Sequence, residues 1–598
     1  MYIEIIQATA AAMLLMAHSF LVGLAVITGF SRVSELSPFP VNRYLALFFC
    51  ATIGLVVNIM ALFAIGIAGL LSPVPITIAA VFLAGVAGWS ANHRSASIAP
   101  VLSGWRCSDW LLLAALLAAV VIASVHAPGH WDDTMYHLPL ARYYLEQQAI
   151  VLNEYIRFPL FPQNGNLLVT LGLMLGDDLG AQVFATLPLF LICVGLLGAS
   201  LWQTGSMVIG LLSIYFLYRL GPVRSTLGYA YIDNTLALFS WGSVLALALS
   251  RSAKEIGWIL IAGFLAGAAA GTKYFGLVYA GLAGIYLLFA KRNIKVLLFF
   301  SLTGMLAGAG WYIRSIVVSG DPLHPAGGNV FGHYLWDALD LKSQASEQAT
   351  HGVAPASLDI FGALGEVKAT VLLLGLLCLV ILKAPQGLRP MRFLFASYLA
   401  FWFFVTQVDR YLSPVYGVGV FLSAYAIYWL VWRGRVKDFF SGRSPLPGQV
   451  ATGFLGIVVL GSVLSKPLKD LGLTAREWDK QLNSQPGYNL LSQSNLLTEQ
   501  FGNRIVQVGF ENSIYYFDGV VVGDWYGPGR YRQFFVGEKY GQALLPPERM
   551  IDVMRHFDTS MIAVPRKVFS RSDRSGYLQY FDISIEDGYG LVLTRKRQ

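Results

Sequence analysis

Apolar stretches about as long as a bilayer is thick recur along most of the chain, at 7–30, 42–69, 73–92, 109–126, 180–200, 206–219, 227–249, 256–271, 274–290, 295–315, 369–384, 393–409, 411–431 and 448–465. Most are long enough to cross a hydrocarbon core of about 30 Å as helices. The core of a large soluble protein accounts for one or two such runs, not for a series. Segment 164–176 is apolar but short, which predicts a re-entrant element rather than a full crossing. From about residue 466 the pattern changes. Short β-prone runs at Arg504–Phe510, Val520–Val522, Met561–Val564 and Leu591–Thr594 alternate with helix-compatible stretches such as Pro547–Phe557, and Gly527-Pro528-Gly529 marks a turn. The expected fold is an all-α polytopic membrane protein with a C-terminal extracytoplasmic α/β domain. Its expected divisions are N-terminal transmembrane helices over 1–92, a transmembrane region with two long loops over 93–465, and a soluble domain over 466–598.

Composition agrees: 56% of the 598 residues are hydrophobic and 13% are charged, against about 25% charged in ordinary soluble chains. The net charge of +8 would, in a soluble protein, raise the question of nucleic acid. Here the basic residues sit in short loops between spans: Arg32 and Arg43, Arg94 and Arg106, Arg251 and Lys254, Lys291 with Arg292 and Lys295, Arg389 and Arg392, and the group from Arg433 to Arg443. If these six loops are cytoplasmic, the spans alternate consistently. The N-terminus, loops 127–179 and 316–368, and the tail then share the opposite side, in a bacterial cytoplasmic (inner) membrane. Membrane lipids, not nucleic acid, are the expected surroundings. The first run lacks a charged n-region and a small-residue cleavage site, so a retained span is expected. Cys50, Cys107, Cys193 and Cys378 are too scattered for a disulfide framework. The absence of a P-loop or dinucleotide fingerprint argues against an ATP-driven pump or a nicotinamide enzyme.

The candidate chemistry lies in loop 127–179. It opens on His130-Trp131-Asp132-Asp133-Thr134-Met135-Tyr136-His137 and continues in a helical pattern from Leu138 to Gln148, with Arg142, Glu154 and Arg157 in the same loop. A carboxylate just past the end of a span can deprotonate or orient a hydroxyl within hydrogen-bond reach. Asp132 and Asp133 could equally cap the helix that follows, at about 0.5–2 kcal/mol. A divalent ion on the two carboxylates is a further alternative, although His-x-Asp-Asp is no established ligand spacing. Asp233, Lys273, Arg314 and the Asp409-Arg410-Tyr411 run fall near span ends on the same expected face as Asp132. Charges there are costly unless partnered, and a pool of cations at the lipid boundary suits a phosphate; snorkelling side chains are the simpler reading.

Taken together, these segments resemble the GT-C superfamily of polytopic glycosyltransferases, in the group with protein O-mannosyltransferases and the aminoarabinose transferases of lipid A. Trp131-Asp132-Asp133-Thr134-Met135-Tyr136 matches their acidic pair in the first long extracytoplasmic loop. Ala269-Ala270-Gly271-Thr272-Lys273 resembles their Gly-rich helix ending in Thr-Lys. Gly310-Trp311-Tyr312-Ile313-Arg314, followed by Gly320-Asp321-Pro322-Leu323-His324-Pro325, resembles a further turn, and Arg410-Tyr411-Leu412-Ser413-Pro414 their Arg-Tyr-x-x-Pro segment. Three spans precede the first expected from the family, and the second acid is Asp where Glu is common. The resemblance implies a sugar donor on a polyprenyl phosphate and an acceptor that is a glycan, a lipid or a protein. It assigns Asp132 as general base with Asp133 beside it, and Arg410, Lys273 and Arg314 near the donor phosphate. Arg142, Glu154, Arg157, Asp233, His324 and Tyr411 become candidates for substrate positioning. No cofactor is required, with a divalent metal as the alternative. The tail would admit or exclude acceptors or serve as a structural cap. A lipid-linked polysaccharide polymerase or ligase and a multi-pass transporter are the rival classes; paired discontinuous helices in two halves, which a transporter should show, are not visible in the sequence.

Overall fold

The computed structural model describes residues 1–33, 42–92, 104–250, 256–354, 357–359, 386–431, 446–465, 467–538 and 540–596, with 362 and 375 between them. The expected span at 369–384 lies outside the described residues. The membrane region is a bundle of α1 (Tyr2–Val33), α2 (Arg43–Ile67), α3 (Pro73–Asn92), α4 (Cys107–Ala123), α5 (Leu138–Glu146), α6 (Asn164–Thr204), α7 (Val208–Arg219), α8 (Asp233–Leu249), α9 (Ile256–Ala270), α10 (Tyr274–Lys291), α11 (Ile294–Ser319), α12 (Ala338–Gln348), α13 (Arg389–Val405), α14 (Tyr416–Val431) and α15 (Leu446–Leu464). Among the described residues, seven helices are long and apolar enough to cross a membrane, and shorter apolar helices complete the bundle. The protein is a multi-pass membrane protein.

Two faces of the bundle are recognisable from their contacts. On one, the α2–α3 turn meets the long loop, where Leu71 N–H donates to Gln148 O and Ile150 N–H to Gly66 O, and Gln7 of α1 reaches Leu175 O. On the other, Arg43 pairs with Asp109 and Lys291 reaches Ser250 O. Helix α6 is broken at Gly176 and Asp177, whose backbones are non-helical. Its first leg starts beside Gly271, where Asn164 N–H meets Gly271 O, and ends near Asp178, which pairs with the tail. Both ends belong to the same face, and 13 residues at about 1.5 Å each fall short of a bilayer. Segment 164–176 is therefore a short leg whose two ends lie on one face.

Helices α9 and α11 cross with their backbones nearly touching, because glycines face each other. A Cβ at Gly267 would lie 1.9 Å from the Gly304 carbonyl oxygen, and one at Gly308 would lie 2.3 Å from that of Gly267. Small residues permit such contact in a bilayer, where packing rather than hydrophobicity holds helices together. Lys273 follows directly on α9, so this crossing fixes its position. Gly267→Val meets backbone rather than a yielding side chain, and overpacking of this kind costs about 1–3 kcal/mol. We expect a lower melting temperature for that variant in detergent, measurable by differential scanning fluorimetry.

The tail carries β1 (Arg504–Gln507), β2 (Val520–Val522), β3 (Met561–Pro565), β4 (Phe581–Glu586) and β5 (Gly590–Arg595). They form one sheet in the order β2-β1-β3-β5-β4, parallel from β2 to β3 and antiparallel beyond. Apolar side chains fill both faces, with Val506, Ile562 and Leu593 on one and Ile505, Met561 and Val592 on the other. The helix expected at Pro547–Phe557 runs Pro547–His556. The tail grips the long loop: Tyr516 Oη and Gln485 Nε2 donate to Pro128 O at 2.7 and 2.6 Å, and the Ala127 N–H donates to Gln481 Oε1 at 2.8 Å. The backbone leading into Asp132 is thus held by residues more than 350 positions away.

Candidate active site

Asp132 stands at the head of a single π-helical turn, Asp133–His137, that leads into α5. The expected cap is not what the pair does, since neither carboxylate makes a side-chain cap bond. The Asp132 Oδ2 atom instead accepts from the Tyr136 hydroxyl at 2.5 Å and from the Arg410 guanidinium. Its backbone N–H donates to the Tyr231 hydroxyl at 3.1 Å, and that hydroxyl also bonds His130 Nδ1. Burial alone would push the pKa of Asp132 up, but the adjacent Arg410 charge outweighs it. With help from Lys273 and the Tyr136 hydroxyl, the carboxyl is held well below the usual carboxylate range. Asp132 is an anion at every physiological pH.

Its neighbour is of the opposite kind. Asp133 is fully buried and turned away from the cavity, accepting from the backbone N–H groups of Gly129 and Ala230, both at 3.3 Å. Burial dominates these bonds and pushes the carboxyl up to about 7. Because the folded value exceeds the unfolded one of about 4, folding takes up a proton between them, and stability falls as pH rises from about 4 to about 7, then levels off. We expect the melting temperature to drop across this window in the wild type and the slope to flatten in Asp133→Asn, read as melting temperature against pH.

Asp132 opens onto a cavity of about 520 Å³. Its wall includes Trp131, Tyr136, His137, Arg157, Asn166, Lys273, Tyr274, Asp409, Arg410, Tyr411, Glu347 and Tyr526. Asp132 arrives from the long loop, Lys273 from the α9–α10 junction, and Arg410 from the 3₁₀ turn Asp409–Val415 that precedes α14. The cations expected as an open pool are paired: Lys273 Nζ lies 3.0 Å from Asp233 Oδ1, and Arg410 lies against Asp132. Each retains unused N–H donors. The Lys273 ammonium and the Arg410 guanidinium also face the Tyr411 ring, at 5.4 and 5.6 Å from its centroid. His137 donates from Nδ1 to Asn166 Oδ1 at 2.7 Å, and burial lowers it to about 4, so the ring is neutral. Its Nε2 is buried with no hydrogen-bond partner, an acceptor in the cavity wall.

The remaining expected residues are placed elsewhere. Arg314 donates to the carbonyls of Pro159 and Val151 at 3.0 and 3.3 Å and so shapes the loop instead of lining the cavity. Arg142 meets Phe517 O and Asp518 of the tail, Glu154 is exposed, and His324 is engaged with Tyr334 O at 2.6 Å. Arg157 lines the cavity and forms a two-nitrogen pair with Asp524 of the tail. Tyr136, Tyr231, His137, Asn166 and the tail residues Asp524 and Tyr526 join the site without having been expected. Tyr136 alone had a readable signal, four positions after Asp132. Among the described residues, no three His, Cys, Asp or Glu side chains gather as a metal site.

An apolar groove of about 530 Å³ runs between α9, α10 and α11, lined by Gly263, Gly267, Gly304 and Gly308 among others. Tyr312 of the groove wall donates its hydroxyl to Ala270 O at 2.8 Å, and its ring lies 6.1 Å from that of Tyr274 in the cavity wall.

Known proteins resemble different parts of this chain. Residues 477–594 match the protein family described as SF2091/S2213. The Shigella flexneri protein SF2092/S2214, named as uncharacterized, is 44% identical over 153 residues, which are 26% of this chain and 84% of that protein. Its Shigella flexneri counterpart SF2093/S2215 is 49% identical over 129 residues, 22% of this chain and 65% of that one. Among solved structures, ArnT from Cupriavidus metallidurans in the apo state superposes with a TM-score of 0.51 at 14% identity, covering 82% of this chain and 99% of ArnT. That likeness is one of fold: the chain has the GT-C architecture, a helical membrane bundle carrying a domain with a β-sheet.

Proposed function

Since this chain belongs to the family of the Shigella flexneri protein SF2092/S2214 and has the GT-C fold, we propose that it is a membrane glycosyltransferase. In this reading it moves a sugar from a polyprenyl-phosphate donor to an acceptor outside the cytoplasm. The observation that carries the proposal is the convergence of Asp132, Arg410 and Lys273, from three separate segments, on one cavity, with an apolar groove between α9, α10 and α11 whose Tyr312 stands 6.1 Å from the cavity's Tyr274. A carboxylate, two cations and a lipid-sized groove are what such a donor and its displacement require. The face opposite the tail carries Arg43, Arg106, Lys291 and Arg292, which supports a cytoplasmic orientation of that face in a bacterial inner membrane.

The isoprenoid chain lies in the groove, and its phosphate takes the unused donors of Arg410 and Lys273. Asp132 accepts the proton of the acceptor hydroxyl as that oxygen bonds to the anomeric carbon. The bond from that carbon to the phosphate oxygen breaks in the same step, and the polyprenyl phosphate leaves with the electron pair. One displacement inverts the anomeric centre. Arg410 links the two halves of the chemistry. While it pairs with Asp132 the carboxylate is a weak base; a phosphate that draws the guanidinium away returns basicity to Asp132 only when donor is present. Charge developing on the leaving phosphate then meets fixed cations, the interaction that lowers a barrier.

The test is to incubate the purified protein with synthetic polyprenyl monophosphate and diphosphate sugars and to identify the released lipid by mass spectrometry. Release of polyprenyl monophosphate from the monophosphate donors supports the proposal. Release only from diphosphate-linked oligosaccharides moves the protein to the ligases and polymerases, and release from neither class contradicts transferase chemistry.

A further inference from the structure

A second cavity, of about 580 Å³, lies between the tail and the membrane region and shares Trp131, Arg157, Glu347 and Tyr526 with the first. We propose that it binds the acceptor and that the acceptor is a neutral saccharide; the word acceptor rests on the transferase reading, the saccharide site does not. Three large aromatic side chains bared at this cavity are Trp131, Trp525 and Tyr540, which are 46%, 42% and 40% exposed. The Trp525 and Tyr540 rings stand 4.5 Å apart. Trp525 is held in place from behind: its Nε1 donates at 3.0 Å to Glu511, a buried carboxylate that also accepts from the Tyr531 hydroxyl at 2.6 Å. Its backbone N–H donates at 2.5 Å to Asp524, the partner of Arg157. A fold that fixes an indole so firmly and leaves its ring exposed has a rigid stacking platform ready for a ligand.

The charges select among ligands. The cavity wall carries the carboxylates of Asp340, Glu347 and Glu538 against the guanidiniums of Arg157 and Arg532. Both guanidiniums are already paired, with Asp524 and Asp337. Asp340 is paired in turn with Arg530, so with all these partners counted five carboxylates stand against three guanidiniums, and a phosphorylated head group or an acidic glycan would meet net negative charge. A peptide held as an added strand would need an open sheet edge, and none of β1–β5 contributes a residue to this wall. A neutral sugar fits both conditions. Its C–H faces carry slight positive charge and lie on the negative face of an aromatic ring, while carboxylates and guanidiniums at the rim bond its hydroxyls. The volume suits a ligand of two or three sugar rings. A saccharide lying on Trp525 and reaching Trp131 presents its terminal hydroxyl to the neighbouring Asp132.

The test measures binding of fluorescently labelled neutral trisaccharides of glucose, N-acetylglucosamine and rhamnose to the full-length protein in nanodiscs, by microscale thermophoresis. At least one should bind, about tenfold more weakly in Trp525→Ala and in Tyr540→Ala, and with little change in Trp525→Phe, which keeps a ring. Two results would overturn the inference. One is wild-type protein that consumes donor in an Asp132-dependent manner yet binds none of the trisaccharides. The other is binding that survives both alanine substitutions. Aromatic-dependent saccharide binding by a protein inert toward every lipid-linked donor would uphold the saccharide site while refuting the transferase reading.

Discussion

Asp132→Asn is expected to lower kcat for sugar transfer by about 10²–10⁴, the usual contribution of a positioned general base, while the donor still binds with little change in affinity. Asparagine has the shape of the carboxylate and can still accept from the Tyr136 hydroxyl, but it cannot take a proton. The pH profile adds a sharper expectation. In the free protein the Arg410 charge holds Asp132 well below the usual carboxylate range, so the acid limb of kcat/KM, which reports the free enzyme, should not show this group at ordinary pH. In the donor complex Arg410 is shared with phosphate, and the Asp132 limb of kcat should move upward, toward the ordinary carboxylate value of about 4. Steady-state rates from pH 3.5 to 8 separate the two limbs. Identical limbs would mean that Arg410 stays on Asp132 throughout turnover.

Arg410→Ala is expected to be as damaging, for two separable reasons. It removes the cation that faces the leaving phosphate, for about 10²–10³ in kcat. It also leaves Asp132, a buried anion, without its counterion, at about 3 kcal/mol of stability. Combining it with Asp132→Asn removes the unpaired charge, so the double variant should recover much of the lost melting temperature and none of the activity, a coupling that a double-mutant cycle reads directly. Arg410→Lys should fall between, since lysine supplies the charge without the fork that can hold a carboxylate and a phosphate together. Equal melting temperatures for the single and double variants would show that the ion pair carries no stability.

The membrane fold was legible because each span must satisfy its own backbone within the lipid, so length and apolarity alone mark it. The short first leg of α6 stood out for the same reason: 164–176 falls below the length of a span. In the tail, β1, β2, β3 and β5 follow the Val- and Ile-rich runs, whereas β4 was missed. Phe581–Glu586 alternates apolar with polar residues and buries only one side, which in isolation reads as polar chain. The site was legible where charge falls at a span end, as with Asp132, Asp233, Lys273 and Arg410. Arg314 obeyed the same rule for another reason: its partners are the carbonyls of Val151 and Pro159, and no side-chain pattern announces a carbonyl. Nor could the sequence show that Arg157 meets Asp524, or that residues 481–516 grip the backbone ahead of Asp132. Those pairings depend on how the tail docks, which no local pattern encodes. The same docking makes the tail part of the site's wall through Tyr526.

The most direct test is the structure of Asp132→Asn, in a nanodisc, with an intact polyprenyl-phosphate sugar trapped by the missing base. The account predicts the isoprenoid chain between α10 and α11, the phosphate on Arg410 and Lys273, and the anomeric carbon facing residue 132. A lipid phosphate bound away from both cations, or a sugar turned from residue 132, would contradict it.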